Sequence, residues 1–415
     1  MLDQLLGESR RAERLGGTPL DPHLASFAAS LRDGGYSEHT VHEKLRLLLE
    51  LGRWLSRSDV PVAALEEGLL EAFLTERRRD GRSARSQATT ARQFLAHLRQ
   101  HQVVAQPPPP LVAHSALATL LGQYEKHLRA ERGLTTATVE NYLPLVRRFL
   151  EERFGEGPLP LRELSPADSH RFILRRAPSM SPGRAKLLVT ALRSFFRFLV
   201  QRGYIDLDLA ASVPPVAGWR LAGVPRSLGA EEVERLLGSC DRTTATGRRN
   251  YAVLLLLARL GLRAGEVVAL ELDDIDWRAG EILVRGKGLF RDRLPLLGEV
   301  GEALAAYLQT DRPPSPTRRV FVCRKAPWRG LAGASTVSSI VRRALARADL
   351  HPPTKGAHLL RHSLATGMLN RGASLTEVGE LLRHRAANTT EIYAKVDVRA
   401  LRALAQPWPG GGGGR

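Results

Sequence analysis

Cysteine is nearly absent from this sequence: only Cys240 and Cys323 occur in 415 residues, with no metal-ligand spacing between them. So small a thiol supply excludes a disulfide framework and suits a reducing cytoplasm. Long apolar runs are missing as well. The longest, residues 251–258, falls well short of the roughly 20 residues a helix needs to cross a bilayer, so no membrane association is expected. Charges enter early, at Asp3, Glu8 and Arg10, so no secretory signal is expected either. Acidic residues are outnumbered. The 43 Asp and Glu against 61 Lys and Arg leave a formal net charge of +18, most of the surplus being arginine. A field of that sign draws polyanions, and the guanidinium fork fits phosphate oxygens. The other reading of the surplus is a codon bias that merely solvates helices. A hydrophobic fraction of 43% is that of a globular chain, and the length suffices for two or three domains, each with its own core.

Two composition breaks divide the chain. The first is Pro107-Pro108-Pro109-Pro110, a stiff spacer, and the second runs over about 206–227 with Pro214, Pro215, Gly218, Gly223 and Pro225. The resulting segments are 1–105, 115–205 and 225–405. Residues 406–415, rich in glycine, are expected to form a disordered tail. The first two segments look like copies of one helical unit. Gly35-Tyr36-Ser37-Glu38-His39-Thr40-Val41 parallels Gly133-Leu134-Thr135-Thr136-Ala137-Thr138-Val139, 98 positions on. In each, a Ser or Thr stands where an N-cap belongs, before a stripe at helical period. The stripes are Val41, Leu45, Leu48, Leu51, Leu55 and Val139, Tyr142, Leu143, Val146, Phe149, Leu150. Thr89, Arg92 and Phe94 parallel Thr190, Arg193 and Phe195 further along. Each copy is expected to be a bundle of four or five helices. The third segment is mixed. Helical stripes lie at 230–239 and 251–260, and a β-hairpin is expected from 281–285 and 293–296 around Gly286-Lys287-Gly288. Helices are expected at about 335–349, 358–371, 374–383 and 388–394.

Reactive side chains concentrate in this third segment. Gly261-Leu262-Arg263-Ala264-Gly265-Glu266 puts an arginine after an apolar helix, with a carboxylate three residues on. His358-Leu359-Leu360-Arg361-His362 places His358 and Arg361 one helical turn apart, on one face. Leu381-Leu382-Arg383-His384 leads, nine residues later, to Tyr393 within Thr389-Thr390-Glu391-Ile392-Tyr393. In order, spacing and neighbours this sequence resembles the tyrosine recombinase (phage integrase) family, which includes the Xer recombinases and lambda integrase. The likeness is strong over about 225–400 and looser over 115–205.

The resemblance implies a mainly α fold: SAM-like core-binding bundles and a mostly α catalytic domain with a small antiparallel β-sheet. It implies an enzyme that cuts and rejoins DNA through a 3′-phosphotyrosine bond, with no metal, cofactor or ATP. It assigns Tyr393 as nucleophile, Arg263, Arg361 and His384 as phosphate-binding groups, and Lys287 as general acid for the leaving 5′-oxygen. His358 would help accept the tyrosine proton, and Glu266 would orient the arginine-bearing helix. Such residue types suit the chemistry, because a phosphodiester under attack gathers negative charge that pre-placed cations stabilise. The implied partner is double-stranded DNA, clamped by the 115–205 and 225–405 segments. The implied assembly is a homo- or hetero-tetramer on two sites, sister recombinases included. A helix over 396–405, carrying Val398, Leu401 and Leu404, would either dock on a neighbour or pack within its own chain. Some features depart from the family. Arg383 and Arg385 stand in Leu-Arg-His-Arg where Leu-Gly-His-Ser is usual, adding either affinity or solvation. A further bundle, 1–105, precedes the core-binding one, a layout that resembles long mobile-element recombinases. The alternative function is a catalytically silent DNA-binding regulator or architectural partner on the same scaffold.

Overall fold

The computed structural model describes residues 17–79, 85–106, 115–155, 157–216, 225–286, 290–384, 389–396 and 401. The polyproline spacer, Lys287, most of 396–405 and the segment 406–415 lie outside the described residues. The chain is mainly α-helical with one small antiparallel sheet. Its contacts gather into two units, Met1–Ala105 with Gly223–Arg415, and Gln106–Ala222.

The first bundle is built from α1 (Asp21–Asp33), α2 (Glu38–Arg57), α3 (Glu67–Arg79) and α4 (Arg85–Gln100). Ser37 caps α2 by accepting from the Thr40 backbone N–H, and the expected stripe Val41, Leu45, Leu48, Leu51 and Leu55 is buried almost completely. Phe27 and Phe94 meet edge to face in this core, with ring centroids 5.1 Å apart.

The second bundle repeats the plan with α5 (Ala116–Lys126), α6 (Thr136–Phe154), α7 (Pro166–Arg176) and α8 (Pro182–Gln201). Thr135 caps α6 as Ser37 caps α2. Its core gathers Phe149, Phe195, Phe196 and Phe198, each buried. Here the structure narrows the expected linker. Residues 206–216 are not plain connector, because α9 (Leu209–Ser212) sits at their centre and Leu209, Ala210 and Val213 join the core of this bundle. Asp208 caps that short helix, and apolar burial outweighs the prolines that follow.

The third segment opens with α10 (Ala230–Gly238) and α11 (Ala245–Arg259). Residues 252–257 of α11 are apolar on every side and buried on every side, so this helix is the centre of the largest core. After α12 (Ala264–Ala269) come β1 (Ile275–Asp276), β2 (Glu281–Arg285) and β3 (Arg291–Pro295), in sheet order β1-β2-β3. Strand β3 starts two residues before the expected position, with Arg285 opposite Arg291. Arg291, Asp292 and Arg293 are exposed and show no apolar alternation, so only backbone pairing reveals them as a strand. The remaining helices are α13 (Gly298–Thr310), α14 (Ala334–Arg347), α15 (His358–Asn370) and α16 (Leu375–Leu381). The last expected helix is a 3₁₀ segment, Glu391–Val396, rather than an α-helix. In the same contact unit, the first bundle meets the third segment at one turn. The backbone N–H of Trp328 donates to the Gly34 carbonyl at 3.0 Å, and the Trp328 indole lies directly on Gly35. No helix among the described residues is long and apolar enough to cross a membrane.

Candidate active site

Three chain segments converge on the guanidinium of Arg361. The first begins where α11 ends. Gly261 turns the chain with φ +60°, and a Cβ there would come within 2.8 Å of the Leu382 side chain, so glycine is required both for the angle and for the space. Two residues on, Arg263 stands at the N-cap of α12, with Glu266 at its third position. Glu266 accepts from the Arg263 backbone N–H at 2.8 Å and from Arg263 Nη1 at 2.7 Å, so the carboxylate orients both the main chain and the side chain of that arginine. The Arg263 side chain remains 39% exposed, with donors left for a ligand.

The second segment is α15, which carries His358, Arg361 and His362. Arg361 is buried and donates to the carbonyls of Gly261 and Leu382, tying the Arg263 turn to the turn that carries His384. Burial, then the neighbouring guanidiniums of Arg263 and Arg383, push its pKa down to about 10, so it keeps its charge at neutral pH. A guanidinium has five N–H donors, so these bonds fix its plane while others stay available.

The third segment runs from α16 into the 3₁₀ turn. His384 follows α16, its ring nitrogen Nδ1 lies 2.8 Å from Thr390 Oγ1, and its ring stacks on that of Tyr393 with an interplanar angle of 7°. Burial, then Arg361 and Arg263, lower its pKa to about 4, so the imidazole is neutral at neutral pH. Tyr393 is 1% exposed, packed against Ala365, Leu369, Val378 and Leu382. Burial pushes its hydroxyl up to about 12, with Arg361 pulling the other way.

The histidine on that hydroxyl is His362, whose Nδ1 is 2.8 Å from Tyr393 Oη. His358, expected to help accept the tyrosine proton, is exposed at the first turn of α15 with its ring 6.3 Å from that of His362. The physical reason is where the phenol lies. Tyr393 packs on the Ala365 and Leu369 side of α15, which brings its hydroxyl to the second turn of the helix and past the first. Burial, then His358 and Arg361, hold the His362 imidazole below its usual value. The structure thus brings Arg263, Glu266, Arg361, His384 and Tyr393 together, with His358 one helical turn from His362 and within reach of the charges of Arg361, Arg263 and Glu266. Lys287, expected on the hairpin turn, lies outside the described residues. Of its cationic neighbours, Arg285 is engaged with Glu271 and Asp274 at 2.7 and 2.8 Å, and Arg293 with Glu281 at 2.6 Å.

Arg383 departs most from its expected role. It neither reaches solvent nor stands free: its side chain is 7% exposed, and Nη2 lies 2.6 Å from Glu266 Oε2. The sequence signals for His362 and Arg383 were present. His362 is four residues after His358, on the same helical face, and Arg383 sits where the chain must adopt φ +54°, a place glycine usually fills. Among the described residues, no group of three or more His, Cys, Asp or Glu could hold a metal ion.

Comparison with known proteins adds the lineage. The phage integrase family matches residues 226–399, and the phage integrase N-terminal SAM-like domain matches twice, at 24–103 and 121–203. An integrase/recombinase of Sinorhizobium fredii, y4rA, is 45% identical over 94% of this chain and 95% of its own. The tyrosine recombinase XerD of Mycobacterium tuberculosis is 35% identical over 71% of this chain and 97% of its own. In fold the chain is similar to the XerH site-specific recombinase, solved as a post-cleavage complex with its palindromic difH substrate. The TM-score is 0.55 at 23% identity, covering 69% of this chain and 84% of that one. The double match of the SAM-like domain accords with the 98-residue repeat read from Gly35 and Gly133. Family match and full-length relatives agree: the chain is a tyrosine-type site-specific recombinase of the phage integrase family.

Proposed function

We propose that this recombinase cuts double-stranded DNA by attack of Tyr393 Oη on a backbone phosphorus, forming a 3′-phosphotyrosine. The observation that carries this reading is the hydrogen bond of Tyr393 to His362, one residue from the guanidinium that joins the Arg263 and His384 turns. The phenol proton passes to His362, which is neutral when its pKa is depressed and so can accept, with His358 one turn away as the relay to solvent. The new O–P bond forms as the P–O5′ bond breaks, and Lys287 protonates the departing oxygen. Arg263, Arg361 and the free nitrogen of His384 donate to the non-bridging oxygens, where charge accumulates. The ester bond energy is kept in the phosphotyrosine, so a 5′-hydroxyl can reverse the reaction without ATP.

Residues 1–105, 115–205 and 225–405 act as an N-terminal bundle, a core-binding bundle and a catalytic domain. The working state is a tetramer on two duplex sites, of this chain alone or with sister recombinases, in the cytoplasm on the nucleoid. The test is a nicked suicide duplex drawn from DNA flanking the gene. The wild type should accumulate a covalent adduct that Tyr393→Phe abolishes. A wild type that binds the duplex tightly and never forms the adduct would favour the silent regulator instead.

A further inference from the structure

Glu266 presents a difficulty for any site that must hold a phosphate. Its side chain is only 5% exposed, and it accepts from Arg263 at 2.7 Å. Burial pushes the carboxyl up, yet the Arg263 backbone N–H, Arg383 and the Arg263 guanidinium more than offset that and hold it below its usual value, so it is ionised. A buried carboxylate on one of two phosphate-binding arginines offsets much of the charge that arginine offers an anion.

Arg383 answers this charge from the other side. Its Nη2 takes Glu266 Oε2 at 2.6 Å, the oxygen that also accepts the Arg263 backbone N–H. Its Nη1 is buried without a hydrogen-bond partner, and the next carboxylate, Asp292 on β3, is 3.9 Å from Nε and 48% exposed. Among the described residues, Arg383 therefore brings a cation to this cluster that only Glu266 answers closely. Its backbone adds a second, independent observation. Arg383 follows the Leu382 cap of α16 at φ +54°, a left-handed conformation that is unfavourable for a non-glycine residue. Strain of that kind persists where surrounding contacts hold it, as the bond to Glu266 does here.

We infer that Arg383 is a positioning residue that neutralises Glu266, leaving the full charge of both Arg263 and Arg361 for the scissile phosphate. Glu266 orients Arg263, and Arg383 removes the electrostatic penalty of that orientation. The role rests on the phosphotyrosine reading, and it makes a prediction that mere scaffolding does not: deleting the carboxylate's charge should make Arg383 dispensable.

The experiment is a double-mutant cycle in the full chain, read as single-turnover cleavage of the nicked duplex. Arg383→Gly suits the backbone angle and should slow cleavage about tenfold or more, a fraction of the loss expected from removing a direct phosphate donor. Adding Glu266→Gln to Arg383→Gly should recover most of that loss. A double variant slower than Arg383→Gly, or an Arg383→Gly variant as fast as wild type, overturns the role. Should glycine there compromise folding, judged by thermal melting, Arg383→Lys and Arg383→Gln give the same contrast: lysine close to wild type and glutamine slow, with equal rates overturning it. Affinity for the intact duplex, measured over the same variants, should follow the same order. That measurement does not depend on cleavage. An inert wild type would sink the phosphotyrosine reading, and the affinity series would still decide on Arg383.

Discussion

Gly35 and Gly133 hold the same place in the two bundles, two residues before the cap of a long helix, and both have positive φ, +84° and +58°. The caps that follow agree closely: Ser37 and Thr135 each accept a backbone N–H at 3.4 Å and meet a threonine hydroxyl at 3.0 Å. What the two turns touch differs. Gly35 lies under the Trp328 indole, whereas a Cβ on Gly133 would meet nothing within 4 Å among the described residues. In the first bundle a turn needed for local backbone reasons also serves as a docking point for the segment that carries Arg263 and Tyr393. In the second, no described residue packs on the glycine of the turn. A duplicated unit thus kept its backbone solution and diverged in its surface.

Several substitutions would break or sharpen this comparison. The largest effects should be shared. Phe94 and Phe195 are both fully buried at matched positions, so Phe94→Ala and Phe195→Ala should each cost about 3–5 kcal/mol, read as lost hydrogen-exchange protection in the respective bundle. A cost at only one position would show that the cores are not equivalent. The next effect should be unequal. Gly133→Ala should cost about 1–2 kcal/mol through the left-handed backbone alone. Gly35→Ala should cost more, because it also pushes against Trp328, and in a Trp328→Ala background the two costs should converge. If the gap survives loss of the indole, the docking account of Gly35 fails. The smallest effect should again be shared. Ser37→Ala and Thr135→Ala should each lower stability by about 1 kcal/mol in thermal melts, the usual worth of an N-cap.

Elements whose signals are local could be read directly from the chain. The α2 and α6 stripes, their caps and the hairpin strand β2 all follow from period and capping chemistry, and all stand where expected. Strand β3 and the short helix α9 were less legible for opposite reasons. The first has exposed charges where alternation would be sought, and the second hides between prolines that argue for a linker. The reactive groups were legible as residue types at spacings, because phosphoryl transfer needs fixed cations, a proton acceptor and a nucleophile, and few side chains supply them.

By itself the sequence determined a mainly helical chain with a duplicated bundle and a cluster of Arg, His and Tyr suited to a phosphodiester, since helix period, capping and side-chain chemistry are properties of neighbours along the chain. Only the tertiary structure decided that Tyr393 bonds His362 rather than His358, that Arg383 turns inward to Glu266, and that Trp328 lies on Gly35. Each of these joins residues 31 to 293 positions apart, and which of several equally suitable partners is reached depends on how the helices pack.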